Sequence, residues 1–160
     1  MLKEKPEIVI GRTGHNCMLD ISRHMMLLEK LRTAGLRPTR QRVALASLLF
    51  GSGQRHLTAE ELHAEAGAAL IPVSLATVYN TLNQFTAAGL LREVAIEGER
   101  TYFDTNTSNH FHFYLEAEKR LIDIATDDLT LSGLPPTPDG NRISRVDVIV
   151  RLEPDKPLNY

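Results

Sequence analysis

Residues 72–89 read PVSLATVYNTLNQFTAAG, and this stretch has the apolar spacing of a helix with an uncharged polar face. Ser74 stands at an N-cap position, and Leu75, Val78, Leu82 and Phe85 recur on one side. The opposite side carries hydroxyl and amide side chains, namely Thr77, Tyr79, Asn80, Thr81, Asn83 and Gln84. Such groups offer donors and acceptors to DNA base edges, with no carboxylate to repel phosphates. A helix buried on both faces by an oligomer contact would also lack charge, so the helix alone leaves both interpretations open.

Three further helices are predicted before this stretch and a β-hairpin after it. The first covers residues 19–35, the second begins after Thr39, and the third begins after Thr58, with Thr58 and Glu61 at capping-box spacing. Beyond the fourth helix, residues 90–96 and 100–104 alternate between apolar and polar around a turn. Helices followed by a hairpin are the order of a winged helix-turn-helix, which we place at residues 18–105.

Charge distribution favours DNA as the partner of this half. The net charge of −2 gives no support, but residues 30–58 contain six basic residues and no acidic one. Arg37 and Arg40 lie on either side of the start of the second helix, where they are placed to contact phosphates. Together with the hairpin, these arginines favour the DNA-reading interpretation, with Ser74, Thr77, Tyr79 and Asn80 as the candidate contacts on the fourth helix.

The remaining chain changes to an α/β character and is predicted to be a dimerisation domain, residues 106–160. Strands are predicted over residues 110–117, 119–125 and 141–153, with a short helix over 126–134 capped at Thr126 or Asp127. Exposed edges of such sheets commonly pair across a two-fold axis, which predicts a homodimer. Residues 1–17 are interpreted as an N-terminal arm. The fold class is therefore α+β, an N-terminal winged helix-turn-helix followed by a small α/β dimerisation domain.

Two histidines stand in the first strand of that domain. On a strand, His110 and His112 point to one side, and Phe111 and Phe113 point to the other, where we expect them to pack. Cys17 is the only cysteine, which excludes an intramolecular disulfide and a zinc site with two CxxC pairs. The sequence has no apolar run of about 20 residues and no signal-peptide core, so we expect a cytoplasmic protein without a membrane segment.

Several motifs together carry a resemblance to a known family. They are AGLRPTRQR (34–42), HLTAEEL (56–62), VSLATVYNTLNQF (73–85), AGLL (88–91) and HFHF (110–113). With these motifs the chain resembles the ferric uptake regulator (Fur) superfamily across roughly residues 20–152. Within it, the chain is most similar to the iron response regulators (Irr) of rhizobia and related α-proteobacteria.

The resemblance implies a transcription regulator of iron and haem homeostasis that binds an A/T-rich inverted repeat. It also implies a divalent metal (Fe²⁺, Mn²⁺ or Zn²⁺) between the two halves of the chain. The residues that match the family's ligands are His56, Asp104, His110, His112 and Asp123. Three imidazoles and two carboxylates suit these borderline and hard cations.

The chain also departs from the family pattern. Leu115 and Glu118 stand where many members have the first CxxC pair, so no structural zinc of that type is expected. Asn80 replaces the usual arginine after the tyrosine, as in the Irr subgroup. That subgroup responds to haem, and the candidate haem ligands here are His110, His112 and Cys17.

Three alternatives remain open from the sequence. Aspartate at position 104 permits a peroxide sensor of the PerR kind. Two histidines and a carboxylate are also the ligand set of a non-haem iron enzyme, although that interpretation leaves the winged half unexplained. A dimerising scaffold without a ligand is the third.

Overall fold

The computed structural model describes residues 14–98 and 100–155, with side chains from residue 21 onward. The elements in this part are α1 (Gly14–Thr33), α2 (Arg40–Phe50), β1 (His56–Leu57), α3 (Ala59–Ala68), α4 (Leu75–Ala87), β2 (Arg92–Val94), β3 (Tyr102–Asp104), β4 (Phe111–Leu115), β5 (Arg120–Ile124) and β6 (Ile149–Leu152). Helices and a hairpin therefore precede a second small sheet, which confirms the predicted α+β class.

The helix starts follow local capping chemistry, as the sequence predicts. The Thr39 hydroxyl accepts from the backbone N–H of Arg42, and the Ser74 hydroxyl accepts from that of Thr77. Thr58 and Glu61 form a complete capping box, in which each side chain accepts from the other residue's backbone N–H. Because these bonds satisfy otherwise unpaired donors, α2, α3 and α4 begin at defined residues.

The helices pack around one apolar core. Val78, Leu82 and Phe85 on α4 are fully buried there. The same cluster holds Leu45 and Leu49 of α2, Leu62 of α3, Leu31 of α1 and Phe103 of β3. Burial of one leucine or phenylalanine contributes about 1.5–3 kcal/mol, so this cluster holds the helices and attaches the hairpin to them.

The hairpin carries a third strand that the sequence analysis did not predict. β1 pairs with β3 on the side opposite β2, giving the order β1-β3-β2 with all pairs antiparallel. His56 and Leu57 are too few to show an alternating pattern, so only the tertiary pairing defines this strand.

The second sheet has the order β5-β4-β6, with β4 antiparallel to β5 and parallel to β6. Its inner face shares an apolar cluster with the hairpin, formed by Val94, Ile96, Tyr102, Tyr114 and Leu121. The Tyr102 hydroxyl also donates to the Lys119 carbonyl at 2.7 Å. The two halves of the chain are thus packed against each other.

Three predicted elements differ from the structure. Residues 14–17, assigned to the arm, begin α1, while residues 1–13 lie outside the described part. The helix predicted over 126–134 is only a 3₁₀ turn at Thr126–Asp128, capped by Ala125 without a side-chain hydrogen bond. The strand predicted over 141–153 is confined to β6, because only residues 149–152 have partners in β4.

The burial along β4 differs in part from the expectation. His110, His112 and Tyr114 are buried, whereas Phe111 and Phe113 are only half-buried. The imidazole side faces the hairpin and the interior, so it receives the larger share of protein contact. The phenylalanines lie on the outer face of the second sheet.

Candidate metal centre

The hairpin sheet places two of the predicted ligands side by side. His56 on β1 is paired with Asp104 on β3, so both side chains project from the same face. Thr58 begins the capping box of α3 two residues after His56. The start of α3 and the β1–β3 pairing together fix the position of His56.

The second sheet contributes the other three. His112 on β4 is paired directly with Asp123 on β5, and His110 immediately precedes β4. The ring nitrogens Nε2 of His110 and His112 lie 2.9 Å apart. The H-x-H pair therefore points to one side, and Asp123 joins it from the neighbouring strand.

These five side chains converge on a single point. One ligand atom from each of His56, Asp104, His110, His112 and Asp123 lies within 4.8 Å of all the others. His110 Nε2 is 2.9 Å from Asp104 Oδ2, and His56 Nε2 is 2.8 Å from Asp123 Oδ1. Ligands bound about 2.1 Å from one ion lie roughly 3 Å apart when adjacent, so these spacings fit a shared cation.

Polar atoms without partners support the same interpretation. Six buried side-chain atoms of the described residues form no hydrogen bond of normal geometry, and three of them, His56 Nε2, Asp104 Oδ2 and Asp123 Oδ1, lie in this cluster. Buried polar atoms are almost always satisfied, so three such atoms at one point indicate that a cation completes their coordination. The donor set of three nitrogens and two oxygens suits Fe²⁺, Mn²⁺ or Zn²⁺.

The protonation of the site also suits a cation. Burial alone would raise the pKa of Asp104, but the imidazoles of His112 and His56 and the backbone N–H of Asn106 outweigh it and hold that pKa well below its usual range. The His110 Nδ1–H donates to the Ser108 carbonyl at 2.9 Å. Because a carbonyl only accepts, this bond places the ring proton on Nδ1 and leaves the Nε2 lone pair available when the ring is neutral.

Supporting residues were missed by the sequence analysis. The backbone N–H of Asn106 donates to Asp104 Oδ1 at 2.7 Å, and its side chain donates to Asp123 Oδ2 at 3.1 Å. The first contact is an Asx turn, which the spacing of Asp104 and Asn106 signals locally. The second depends on β5 and has no local signal. Arg92, which contacts the backbone on both sides of Asn109, was also not predicted.

The fourth helix presents most of its predicted polar face to solvent. Ser74, Tyr79, Asn80 and Gln84 are exposed, and Thr77 is half-buried beside the Ser74 hydroxyl. Thr81 is an exception: it is buried, and its hydroxyl donates back to the Thr77 carbonyl at 2.8 Å. Its inclusion in the exposed polar face was wrong because α4 turns this position toward the core.

The predicted arginines lie near this helix. Arg37 and Arg40 are exposed at the start of α2. The Arg42 guanidinium links the two elements, since it donates to Gln84 Oε1 and, at 2.9 Å, to the Arg37 carbonyl. A basic segment is thereby held against the exposed face of α4.

A carboxylate lies closer to this face than the sequence suggested. The Tyr79 hydroxyl donates to Glu60 Oε1 at 3.0 Å, which raises the pKa of Tyr79. Glu60 stands in the first turn of α3, where backbone N–H groups and then Tyr79 lower its pKa. The tyrosine ring is therefore held in one orientation by an ionised partner.

Of the candidate haem ligands, the structure describes the side chains of His110 and His112 only. Cys17 lies on α1 in the part whose side chains are outside the description, while His110 and His112 both belong to the five-residue cluster.

Comparison with known proteins supports one family. Residues 33–132 match the ferric uptake regulator family. The chain is 34% identical over 96 residues to the peroxide-responsive repressor PerR of Staphylococcus aureus strain Mu50, covering 60% of this chain and 64% of the relative. The chain thus spans less than two thirds of that relative's length.

Solved structures of ferric uptake regulators share the fold of this chain. The structure of the ferric uptake regulator from Pseudomonas aeruginosa with manganese is 25% identical, with a TM-score of 0.62 over 80% of this chain and 97% of that one. The Vibrio cholerae ferric uptake regulator has the same fold, with a TM-score of 0.63 over 79% of this chain and 98% of that one at 23% identity. Among the described helices, none has the length and apolarity needed to cross a membrane. With this family match, its helices and hairpin, and its five convergent candidate ligands, the chain belongs to the ferric uptake regulator family.

Proposed function

We propose that this protein is a homodimeric DNA-binding transcription regulator, a repressor whose DNA affinity is controlled by a divalent metal. The observation that carries the proposal is the convergence of five ligand atoms within 4.8 Å. His56 and Asp104 come from the hairpin sheet, and the other three come from the second sheet. The site thus joins the DNA-reading half to the other half of the chain.

Control follows from this division of the ligands. When bound, a divalent cation supplies positive charge that the two carboxylates and three imidazoles share. The residues hold the two sheets at one relative angle only if both sets of donors are satisfied at once. A dimer must present its two reading helices about 34 Å apart to meet successive turns of DNA. The bound metal changes DNA affinity only if it binds more tightly to the arrangement of the two halves that fits DNA than to the arrangement that does not.

The exposed face of α4 supports DNA reading in the major groove of an A/T-rich inverted repeat. The Asn80 amide is able to pair bidentately with adenine, and the Tyr79 ring is able to pack on a thymine methyl. Ser74 and Thr77 at the start of the helix, with Arg37 and Arg40 nearby, are suited to phosphate contacts.

The outer face of the second sheet supports dimerisation. The half-buried Phe113 lies beside Ile122 on β5 and Val150 on β6, and Ile122 remains 38% exposed. An apolar strip of this kind needs a covering partner, and the proposed partner is the same sheet of a second copy.

A metal ion suits the cluster better than haem. An axial haem ligand must present Nε2 to an open, flat slot. Here the Nε2 atoms of His110 and His112 face each other and Asp104. Five protein donors also leave fewer open coordination positions than the three-residue iron site of an oxygenase, which disfavours the enzyme alternative.

The physiological signal to which the regulator responds is a separate proposal. Asn80 and the surrounding helix sequence favour iron and haem homeostasis of the iron response regulator type. A second candidate is peroxide sensing, favoured by Asp104 and by the 34% identity to the Staphylococcus aureus PerR. Mass spectrometry distinguishes them: peroxide sensing requires oxidation of His56 or His110 in Fe²⁺-loaded protein after peroxide treatment, absent from Mn²⁺-loaded protein.

The decisive experiment is DNA binding by metal-free protein, followed by separate additions of Mn²⁺, Fe²⁺, Zn²⁺ and haem. Fluorescence anisotropy with an A/T-rich inverted repeat is expected to show a change of affinity with one of the metals. Asp104→Asn and the double variant His110→Gln, His112→Gln should abolish the change. His24→Gln, which alters an exposed histidine on α1, should keep it. An unchanged metal response in the double variant would contradict the proposal.

A further inference from the structure

Arg92 occupies a position next to the metal centre that no ligand role explains. It lies on β2 directly opposite Asp104, which is in turn opposite His56 on β1. The three residues form one row across the hairpin sheet and project from the same face. Arg92 is only 6% exposed, so its positive charge is buried, and its partner across the strands is the candidate ligand Asp104.

The guanidinium is hydrogen-bonded to the segment that carries the H-x-H pair. Its Nη1 donates to the carbonyls of Ser108 and His110, each at 3.2 Å. The Ser108 carbonyl also accepts from His110 Nδ1. The Arg92 guanidinium and the His110 ring therefore share one acceptor, so a shift of Arg92 would change the position of the imidazole.

The other side of the guanidinium reaches the strand that supports His112. Nη2 is paired with the Asp147 carboxylate. Asp147 is next to Val148, whose carbonyl accepts from the His112 backbone N–H at 3.1 Å. Arg92 is thus connected to His110 through carbonyls and to His112 through the chain that enters β6.

A simple buried ion pair would not need this arrangement. A buried guanidinium requires hydrogen-bond partners for its donors because it stays charged. The terminal nitrogens Nη1 and Nη2 of Arg92 direct donors to two carbonyls of the ligand segment and to the carboxylate, whereas its Nε has no partner among the described residues. The planar fork fixes the direction of these bonds, which a lysine ammonium does not do.

We propose that Arg92 is the positioning residue that couples the two ligand sets of the metal centre. It joins the row holding His56 and Asp104 to the segment holding His110 and His112. A change in the position of one set when the metal binds is thereby transmitted to the orientation of the other, and with it to the DNA-reading half. This inference rests on the proposed function, since it concerns regulation through the same site.

The test compares Arg92→Gln and Arg92→Lys with the wild type and with Arg145→Gln. Arg145 also pairs with Asp147 but contacts neither Ser108 nor His110, so it controls for loss of a charge near the carboxylate. Two quantities are measured: the Kd for Mn²⁺ by electron paramagnetic resonance on metal-free protein, and the ratio of DNA affinities with and without saturating Mn²⁺. Far-UV circular dichroism checks folding.

Arg92→Gln is expected to weaken Mn²⁺ binding by about 10- to 100-fold, the usual effect of losing a residue that orients a ligand. Its DNA affinity ratio should fall toward one even at saturating Mn²⁺, which a residue of purely structural importance would not cause. Arg92→Lys should recover binding only in part. Arg145→Gln should keep both quantities near the wild-type values.

Wild-type Mn²⁺ affinity and DNA response in folded Arg92→Gln would overturn the inference and leave the proposed function intact. A wild-type protein that binds no divalent metal would overturn the proposed function itself. If Arg92→Gln does not fold, Asp147→Asn decides, because it removes the anchor of the guanidinium and keeps the arginine. A reduced DNA affinity ratio in Asp147→Asn supports the inference, and an unchanged ratio overturns it.

Discussion

Asp104 illustrates how a single residue acquires its role from three neighbours. Its carboxylate is fully buried, and one oxygen accepts the backbone N–H of Asn106 while the other faces the imidazoles. Burial of an ionised carboxylate is costly unless it is paired, so the residue is stable here only because the imidazoles and a backbone donor surround it. The same surroundings make it a candidate cation ligand.

The pH dependence of stability is expected to involve Asp147. Burial would raise its pKa, but the hydrogen bonds from Arg145 and Arg92 outweigh it, so the pKa lies below the value of about 3.9 in unfolded chains. A lowered folded pKa means that the stabilisation is fully present above pH 4 and is lost as the pH falls through the folded value. Asp147→Asn should therefore destabilise the protein at pH 7 and pH 5, and by less below pH 4.

Urea denaturation at these pH values measures the effect on metal-free protein. Asp139→Asn, a change at an exposed loop residue, serves as the control and should have little effect at any pH. A destabilisation by Asp147→Asn that grows as the pH falls would contradict the assignment.

The capping box of α3 is expected to contribute measurably to stability. Thr58→Ala removes the acceptor for the Glu61 N–H and should lower the free energy of unfolding by about 1 kcal/mol. Thr33→Ala, at the exposed end of α1, should cost much less. Chemical denaturation of both variants makes the comparison, and equal losses would show that the cap is unimportant.

Among the elements, α4 combines two roles on opposite faces. Val78, Leu82 and Phe85 bury one face, while Tyr79, Asn80 and Gln84 stay exposed on the other. Gln84 is engaged by Arg42, and Tyr79 is engaged by Glu60. Both contacts order side chains in advance, which would reduce the entropy lost in the proposed DNA binding.

The division of the α4 face predicts different effects for adjacent residues. Asn80→Ala should cost about 1–3 kcal/mol of DNA-binding free energy and relax base preference at one position in each half-site. Thr81→Val, at a buried position, should leave the base preference unchanged. Binding selection from a randomised inverted repeat measures both. If Thr81→Val alters the preference and Asn80→Ala does not, the assignment of the reading face is wrong.

At the scale of the whole molecule, the packing of the two sheets against each other determines where the candidate metal centre lies. The hairpin sheet and the second sheet share an apolar cluster and enclose the five candidate ligands between them. The outer face of the second sheet remains for a partner. The proposed metal binding and the proposed dimerisation thus use opposite faces of one three-stranded sheet, so separate substitutions test each of them.

A charge on the outer face should dissociate the dimer. Ile122→Glu places a carboxylate in the apolar strip beside Phe113, where burial of an unpaired charge is strongly unfavourable. Sedimentation analysis is expected to show a shift to monomer. Leu70→Glu is the control, since Leu70 is 90% exposed in the winged half, and it should stay dimeric. A dimeric Ile122→Glu would exclude this face as the interface.

Removal of metal should leave the fold intact. The two apolar clusters do not depend on the ligands, so exhaustive chelation should preserve the far-UV circular dichroism spectrum and the dimer mass. Adding Mn²⁺ at 100 times its Kd should then raise the free energy of unfolding by about 2.7 kcal/mol. Unfolding or monomerisation in chelator would instead indicate a structural metal.

Local sequence signals were sufficient for helices α1 to α4 and for the hairpin, whereas the five candidate ligands came from the resemblance to the family. Thr39, Thr58 and Ser74 act on donors within three residues, and helical periodicity shows which side of α4 is buried. These signals depend on the neighbouring chain only, so they are readable without tertiary information.

Tertiary structure decided the remaining features because they depend on distant pairing. β1 is a strand only because β3 lies beside it, and β6 is short because β4 offers it few partners. The burial of the H-x-H side rather than the phenylalanine side depends on which face meets the hairpin. Arg92 gained its place beside the ligands for the same reason: the contacts that define it lie 16, 18 and 55 residues along the chain.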